Sequence, residues 1–555
     1  MNGWRDLRSY QRAWLRGDVV AGVTVAAYAV PQVMAYAELA GLPAVVGLYA
    51  ILVPLVVYAA LGSSRQLSVG PESTTALLTA TAIGPLAAGD PARYAALAAT
   101  LALLVGGYCL VAWALRLGFV ADLLSRPVLV GYLTGVAATM IVGQLGTVTG
   151  IDVEGSSVSE RVVSFMQNLS SLDVDTTVLS AATLILLLAL HRWRPRWPGP
   201  LLVVLLASAV VALLGWTSTM AVVGSIPFGL PDVAVPSVST SDIGVLALPA
   251  LGLMIVGYTD NVLTARSFAT RRWEEIDANT ELLALGASNL GVGLTQGFPV
   301  SSSGSRTALG SASGSRTQVY SLVMLASILL TLVALRPVLE YFPLAALGAL
   351  VVYAALQLID TAAFAALWRF RTTELVLAVG TTVAVLVLDI LAGVLVAVGL
   401  SVLELLHRVA RPHDAIEGIV PGLAGMHDID DYPEAETIPG LVVYRYDSPL
   451  FFANAADFRR RALAAVDEVE RTQGPVRWLL LNVESNVEVD STAVATLEEL
   501  RRRLERRGIV LALARVKQDL ADQLLRAGFL QRIGPDRIFP TLPTAVEGFR
   551  AWLEL

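Results

Sequence analysis

Apolar segments recur from residue 18 to about residue 406, and this recurrence constrains the fold more than any other feature of the sequence. They lie near residues 19–37, 44–61, 73–88, 94–115, 128–147, 177–190, 200–216, 246–266, 281–296, 306–314, 319–336, 343–358, 373–388 and 390–406, about fourteen in all. Hydrocarbon offers no water to a backbone N–H or C=O, so such segments must close their hydrogen bonds internally, as helices. A full helical span needs roughly 20 residues. Several segments are shorter, notably those after Pro71 and Pro299, and both of these start after a Gly/Pro/Ser break. Of the 555 residues 55% are hydrophobic and only 15% charged, which indicates a polytopic membrane protein and excludes an ordinary soluble globule.

Basic residues orient the segments. Arg5, Arg8, Arg12 and Arg16 precede the first, Arg65 follows the second, and Arg116 and Arg126 follow the fourth. His191-Arg192-Trp193-Arg194-Pro195-Arg196 follows the sixth, Arg271 and Arg272 the eighth, Arg369 and Arg371 the twelfth, and Arg408 and Arg411 the last. The loops 150–160 and 227–242 are acidic or neutral. An even span count with both termini in the cytoplasm follows. The start of the chain carries no A-x-A-like cleavage site, so insertion is expected through the chain's own helices. Residues 1–17 are then a cytoplasmic segment, 18–408 a transmembrane domain, 409–440 a linker and 441–555 a cytoplasmic domain.

The third and tenth segments open alike, as Ser68-Val69-Gly70-Pro71-Glu72-Ser73-Thr74 and Phe298-Pro299-Val300-Ser301-Ser302-Ser303. They occupy corresponding places if the chain is two halves of seven spans. An odd number of spans per half forces opposite orientations, and paired broken segments in inverted repeats point to a transporter's central site. The tail changes character. Leu441–Tyr446, Trp478–Asn482 and Ile509–Val516 read as strands, while Ala455–Glu470, Thr492–Gly508 and Gln518–Ala527 read as helices. That alternation predicts a small α/β domain.

Arg306 stands at the second break. A cation in hydrocarbon costs roughly 2.5 kcal/mol or more, so it is expected to line a polar cavity. Ser302, Ser303 and Ser305 sit at the same helix start, where free N–H groups and the helix dipole favour an anion; their hydroxyls could donate to an oxyanion or, through oxygen, coordinate a cation. Asp260 lies in the apolar run 251–265 with Thr264 one turn later. It could balance Arg306, carry a coupling proton, or ligate sodium with Thr264. Gln32 and Tyr36, one turn apart after Pro31, suit the wall of an anion cavity. Glu72, at the start of the third segment, is a helix cap or a proton site. Asp389 belongs to the break between the last two spans. No phosphate-binding Gly-Lys-Ser/Thr loop is present, His191, His407, His413 and His427 lack metal spacing, and the single Cys109 forms no intramolecular disulfide. The chain is therefore expected to be no enzyme, with no cofactor, metal or nucleic-acid partner.

These residues resemble the SulP family of sulfate permeases and related anion transporters. The resemblance rests on Val30–Pro43, Gly47-Leu48-Tyr49, Leu61–Pro71 and Phe298–Thr307, and on a tail that looks like a STAS domain with Asp490-Ser491-Thr492. It covers nearly the whole chain and is closest to actinobacterial members. It implies a seven-plus-seven inverted repeat with core and gate domains, and an anion site between the third and tenth helix starts, walled by the first and eighth helices. Gln32, Tyr36, Ser305 and Arg306 match pocket positions, and Asp260 matches an acidic eighth-helix position. The Asp260/Thr264 pair resembles a sodium-site pattern of cyanobacterial bicarbonate members. Homodimers are common in the family. Ser491 matches a serine that is phosphorylated in soluble STAS proteins; a helix N-cap is its alternative role. The resemblance thus implies sulfate transport with proton symport. The alternatives are a bicarbonate or dicarboxylate carrier, possible with sodium, or an anion-sensing scaffold acting through a cytoplasmic partner of the STAS domain.

Overall fold

The computed structural model describes residues 10–87, 89–119, 125–155, 157–195, 197–216, 219–269, 275–388 and 390–554. Arg5, Arg8, Arg196, Arg271, Arg272 and Asp389 lie outside the described residues. Two compact units are present, Met1–Ser401 and Val402–Leu555.

The first unit is helical. Its apolar segments form α1 (Leu15–Leu39), α2 (Ala44–Leu61), α3 (Ser73–Ala87), α4 (Pro91–Ala114), α5 (Arg126–Gly143), α6 (Val174–Trp193) and α7 (Gly199–Leu213). The second set is α8 (Thr240–Ala269), α9 (Ala278–Leu294), α10 (Gly304–Ala312), α11 (Val319–Ala334), α12 (Leu344–Leu358), α13 (Thr372–Leu388) and α14 (Ile390–Ala410). Seven helical stretches of the described residues are long and apolar enough to cross a membrane by themselves. Outer faces stay apolar where a soluble protein would be polar: Val174, Val178 and Ile185 on α6 are all more than half exposed. Lipid tails are as apolar as these side chains, so helix association depends on close packing. At Gly131 of α5 an added Cβ would lie 2.0 Å from the Ala378 carbonyl oxygen of α13. Only a glycine permits that approach.

Both breaks are built the same way. Val69–Gly70 (β1) and Ser301–Ser302 (β2) pair antiparallel, Val69 with Ser302 and Gly70 with Ser301, and α3 and α10 start immediately after them. Ser303 N–H donates to the Ser68 carbonyl (2.8 Å), and Ser68 N–H donates to Thr307 Oγ1 (3.0 Å). Asn289 of α9 extends the pairing: its Oδ1 accepts from Val300 N–H and its Nδ2 donates to the Val300 carbonyl. An additional short helix, Val158–Gln167, joins α5 to α6, with Ser157 and Glu160 forming a capping box.

The second unit holds a six-stranded sheet in the order β4-β3-β5-β6-β7-β8. The strands are β3 (Asp414–Ile419), β4 (Met426–Asp428), β5 (Leu441–Tyr446), β6 (Trp478–Asn482), β7 (Val510–Ala514) and β8 (Ile538–Phe539). β5 to β8 run parallel, whereas β3 is antiparallel to both its neighbours. Helices α15 (Ala455–Gln473), α16 (Ser491–Arg506) and α17 (Gln518–Arg526) pack on one face around Phe458, Leu497 and Leu524. The other face is covered by α18 (Leu542–Leu553) through Trp478 and Phe549. One expectation is corrected here. Residues 414–428, read as part of a linker, are strands of this sheet. Their polar composition hides the pattern, because Glu417 is buried on Arg445 and Asn482 rather than exposed.

Candidate functional site

Helices α1, α3, α6, α8, α10 and α12 surround a cavity of about 850 Å³. One wall carries Gln32 and Tyr36 of α1, Glu72 before α3, Asp260 and Thr264 of α8, and Ser302, Ser303 and Ser305 at the second break. Eight of the nine positions expected at the cavity thus meet in one space. Gln32 is the hub. Its Nε2 donates to Tyr36 Oη (3.1 Å) and Ser305 Oγ (3.2 Å), and its Oε1 accepts from Arg306. Ser303 caps α10, its Oγ accepting from the Arg306 N–H, and lies 3.3 Å from Ser305 Oγ.

Arg306 takes a different place from the one expected. It is fully buried behind the wall and does not line the cavity. Its side chain runs back toward the first break, where Nε donates to Ser68 Oγ (3.2 Å) and NH1 to the Pro71 carbonyl (2.8 Å) and Gln32 Oε1 (3.2 Å). The remaining NH2 is buried without a hydrogen-bond partner. Gly70 leaves it room, since a Cβ there would lie 3.3 Å from NH2 and 2.7 Å from Ile51 Cγ1. Arg306 therefore joins the two breaks and holds the Gln32 amide with its N–H groups turned toward the hydroxyls.

Asp260 accepts from Ser302 Oγ (2.8 Å) and forms no ion pair with Arg306. Thr264 lines the same cavity one turn further on. Glu72 acts as a cap, with its carboxylate accepting from Thr74 N–H (2.7 Å) and from Ser73 Oγ. In the second unit Asp490, rather than Ser491, is the N-cap of α16, accepting from Ala493 N–H; Ser491 is the exposed first residue of that helix.

Sequence reasoning missed two buried carboxylates. Glu281, in the first turn of α9, is completely buried. It accepts from Tyr58 Oη (2.9 Å to each oxygen), Ser63 N–H (2.9 Å), Ser63 Oγ (2.7 Å) and Asn261 Nδ2 (2.6 Å). It thereby fastens α9 to α2, to the chain leading into the first break, and to the α8 residue next to Asp260. Asp18 is equally buried and accepts from Arg316 N–H, Thr317 N–H and Thr317 Oγ1 ahead of α11. A lone carboxylate in an apolar run was the available signal for Glu281.

The arrangement can hold a small anion. Hydroxyls line the cavity at the start of α10, where the helix dipole adds partial positive charge. The cation stands behind them, so it contributes long-range attraction without closing a contact ion pair that would resist release.

Comparisons with known proteins agree with this geometry. A model of the sulfate permease family matches residues 15–381, and one of the STAS domain matches residues 432–545. A probable sulfate transporter of Mycobacterium tuberculosis is 58% identical over 99% of this chain and 98% of its own length. The chloroplastic sulfate transporter 4.1 of Arabidopsis thaliana is 32% identical over 98% of this chain and 82% of its own. The solved structure of the murine Slc26a9 anion transporter in its inward-facing state matches with a TM-score of 0.89, at 24% identity, covering 99% of this chain and 94% of its own. The transmembrane domain of the cyanobacterial bicarbonate transporter BicA matches with a TM-score of 0.62, at 22% identity, covering 69% of this chain and 98% of its own. At those identities the solved structures establish a shared fold.

Proposed function

The chain belongs to the sulfate permease family, and from that premise we propose that it carries sulfate across the plasma membrane by alternating access, in symport with protons. It is a multi-pass membrane transporter of anions and not an enzyme. The observation that carries the reading is the meeting of Gln32, Tyr36, Ser303 and Ser305 on one cavity wall at the start of α10. The anion accepts hydrogen bonds from the two seryl hydroxyls and the Tyr36 phenol, while the Gln32 amide, its oxygen held by Arg306, spends both N–H groups orienting Tyr36 Oη and Ser305 Oγ.

Asp260 supplies the proton site. Its carboxylate shares the cavity with the anion, so binding both ions at once is favoured when Asp260 is protonated. With both termini in the cytoplasm, the end of the cavity bearing His191 and Arg194 faces inward. The protein works as a homodimer, and Ser491 is an accessible site for control by a cytoplasmic partner.

Labelled sulfate uptake into proteoliposomes under an imposed proton gradient tests this, with bicarbonate, fumarate and chloride as competitors. Uptake that ignores the gradient removes the symport. Uptake indifferent to Gln32→Ala and Ser305→Ala removes the site. The shared position of Asp260 and Thr264 also favours a second reading, a sodium-coupled carrier of bicarbonate or a dicarboxylate. A sodium requirement that disappears in Thr264→Ala would select it.

A further inference from the structure

The same cavity carries a polar group on α6 and α12 that substrate binding at α10 does not use. His191 of α6 and Tyr353 and Gln357 of α12 line the cavity and are bonded to one another. Gln357 Nε2 donates to Tyr353 Oη (2.7 Å), and His191 Nδ1 lies 3.0 Å from that oxygen and 3.3 Å from Gln357 Nε2. The Gln357 amide nitrogen can only donate, so His191 Nδ1 beside it accepts, and the phenol O–H turns to the same nitrogen. An accepting Nδ1 leaves the ring proton on Nε2. The ring is thus fixed as a donor with its free N–H directed away from α12.

Arg194, the C-cap residue just past α6, also lines the cavity. It is the only lysine or arginine among the described lining residues, whose two carboxylates are Glu72 ahead of α3 and Asp260 on α8. Both His191 and Arg194 are exposed. Basic side chains do favour a helix C-terminus, and that alone would account for positive charge here. It does not account for the two-residue relay from α12 that sets the histidine tautomer, nor for the guanidinium standing on the cavity wall.

We infer that His191 and Arg194 form a second anion subsite at the mouth of the cavity, taking a small oxyanion such as sulfate through one imidazole N–H and the guanidinium fork. The inference rests on the reading of the chain as an anion transporter with this end inward. The subsite holds the anion after it leaves the α10 hydroxyls, so cytoplasmic sulfate re-enters readily and restrains further uptake.

The test uses the full chain in oriented proteoliposomes, with labelled sulfate presented from either face. In His191→Ala and Arg194→Gln, the ratio of the internal to the external half-saturation constant should rise about threefold or more, as expected for a partly exposed charged contact. Tyr353→Phe, which removes the O–H directed at His191, should move the ratio in the same direction, and Arg194→Lys should restore most of it. A ratio unchanged in all three loss variants, or both constants rising together, overturns the subsite. If the wild-type chain moves no sulfate, the transport reading fails instead. Calorimetric titration of the detergent-solubilised chain with sulfate then decides the subsite alone: binding weakened in the His191→Ala, Arg194→Gln double variant supports it, and unaltered binding overturns it.

Discussion

Glu281→Ala and Glu281→Gln should affect stability very differently, and the difference can be worked from the hydrogen bonds. Alanine leaves four buried donors without an acceptor: Tyr58 Oη, Ser63 N–H, Ser63 Oγ and Asn261 Nδ2. Each orphaned group costs roughly 1–3 kcal/mol, so the sum is about 4–12 kcal/mol. Removing the carboxylate also relieves several kcal/mol of desolvation, and breaking one partner of a buried charged network typically nets about 3–5 kcal/mol. Glutamine keeps one oxygen for Ser63 and Tyr58 and turns its NH2 toward Asn261. There two amide nitrogens would meet, but Asn261 Oδ1 is itself buried without a partner. Flipping the Asn261 amide presents that oxygen to the new NH2, and the number of unpartnered atoms does not rise. The cost should then stay near that of one neutral hydrogen bond, about 1 kcal/mol. Thermal unfolding of the full chain in detergent, followed by tryptophan fluorescence, reads the order: wild type and Gln close together, Ala lower by several degrees. Equal losses for Gln and Ala would mean that charge, and not hydrogen-bond geometry, holds α9, α8 and the first break together. An unchanged Ala variant would refute the network's contribution altogether.

Arg306→Lys should lower sulfate uptake more than tenfold while the protein still folds, because an ammonium cannot reproduce the fork that serves Ser68, Pro71 and Gln32 together; near-normal uptake would show that a point charge is enough. Asp260→Asn should leave downhill sulfate exchange measurable but abolish stimulation by a proton gradient, and a persisting proton response would assign the proton elsewhere. Gly131→Ala drives a methyl to 2.0 Å from the Ala378 carbonyl, so the variant should unfold earlier by about 1–3 kcal/mol, measurable as a lower Tm.

Much of the architecture is legible because hydrocarbon leaves so few options. The fourteen apolar segments correspond to helices, and the two Gly/Pro/Ser breaks become the paired strands ahead of α3 and α10. Gln32 and Tyr36 were found through helical spacing, and Asp260 through its cost in an apolar run. What escaped was what depends on reach or on distant partners. Arg306 was expected at the cavity surface, yet its long side chain turns back to Pro71, 235 residues earlier in the chain. Glu281 looks like a residue placed for the α9 dipole, and nothing local reveals Tyr58 or Ser63, more than two hundred residues away. The loop read over 150–160 runs into the helix Val158–Gln167, whose capping box Ser157 and Glu160 spell out.

The two-residue ladder between β1 and β2 has a consequence for how such a chain can diverge. The halves descend along separate stretches of sequence, but Val69 faces Ser302 and Gly70 faces Ser301 across a shared hydrogen-bonded seam. A bulkier side chain on one strand shifts the other strand's backbone, and with it the hydroxyls on the far helix. Substitutions at the two breaks should therefore arise in matched pairs across this seam.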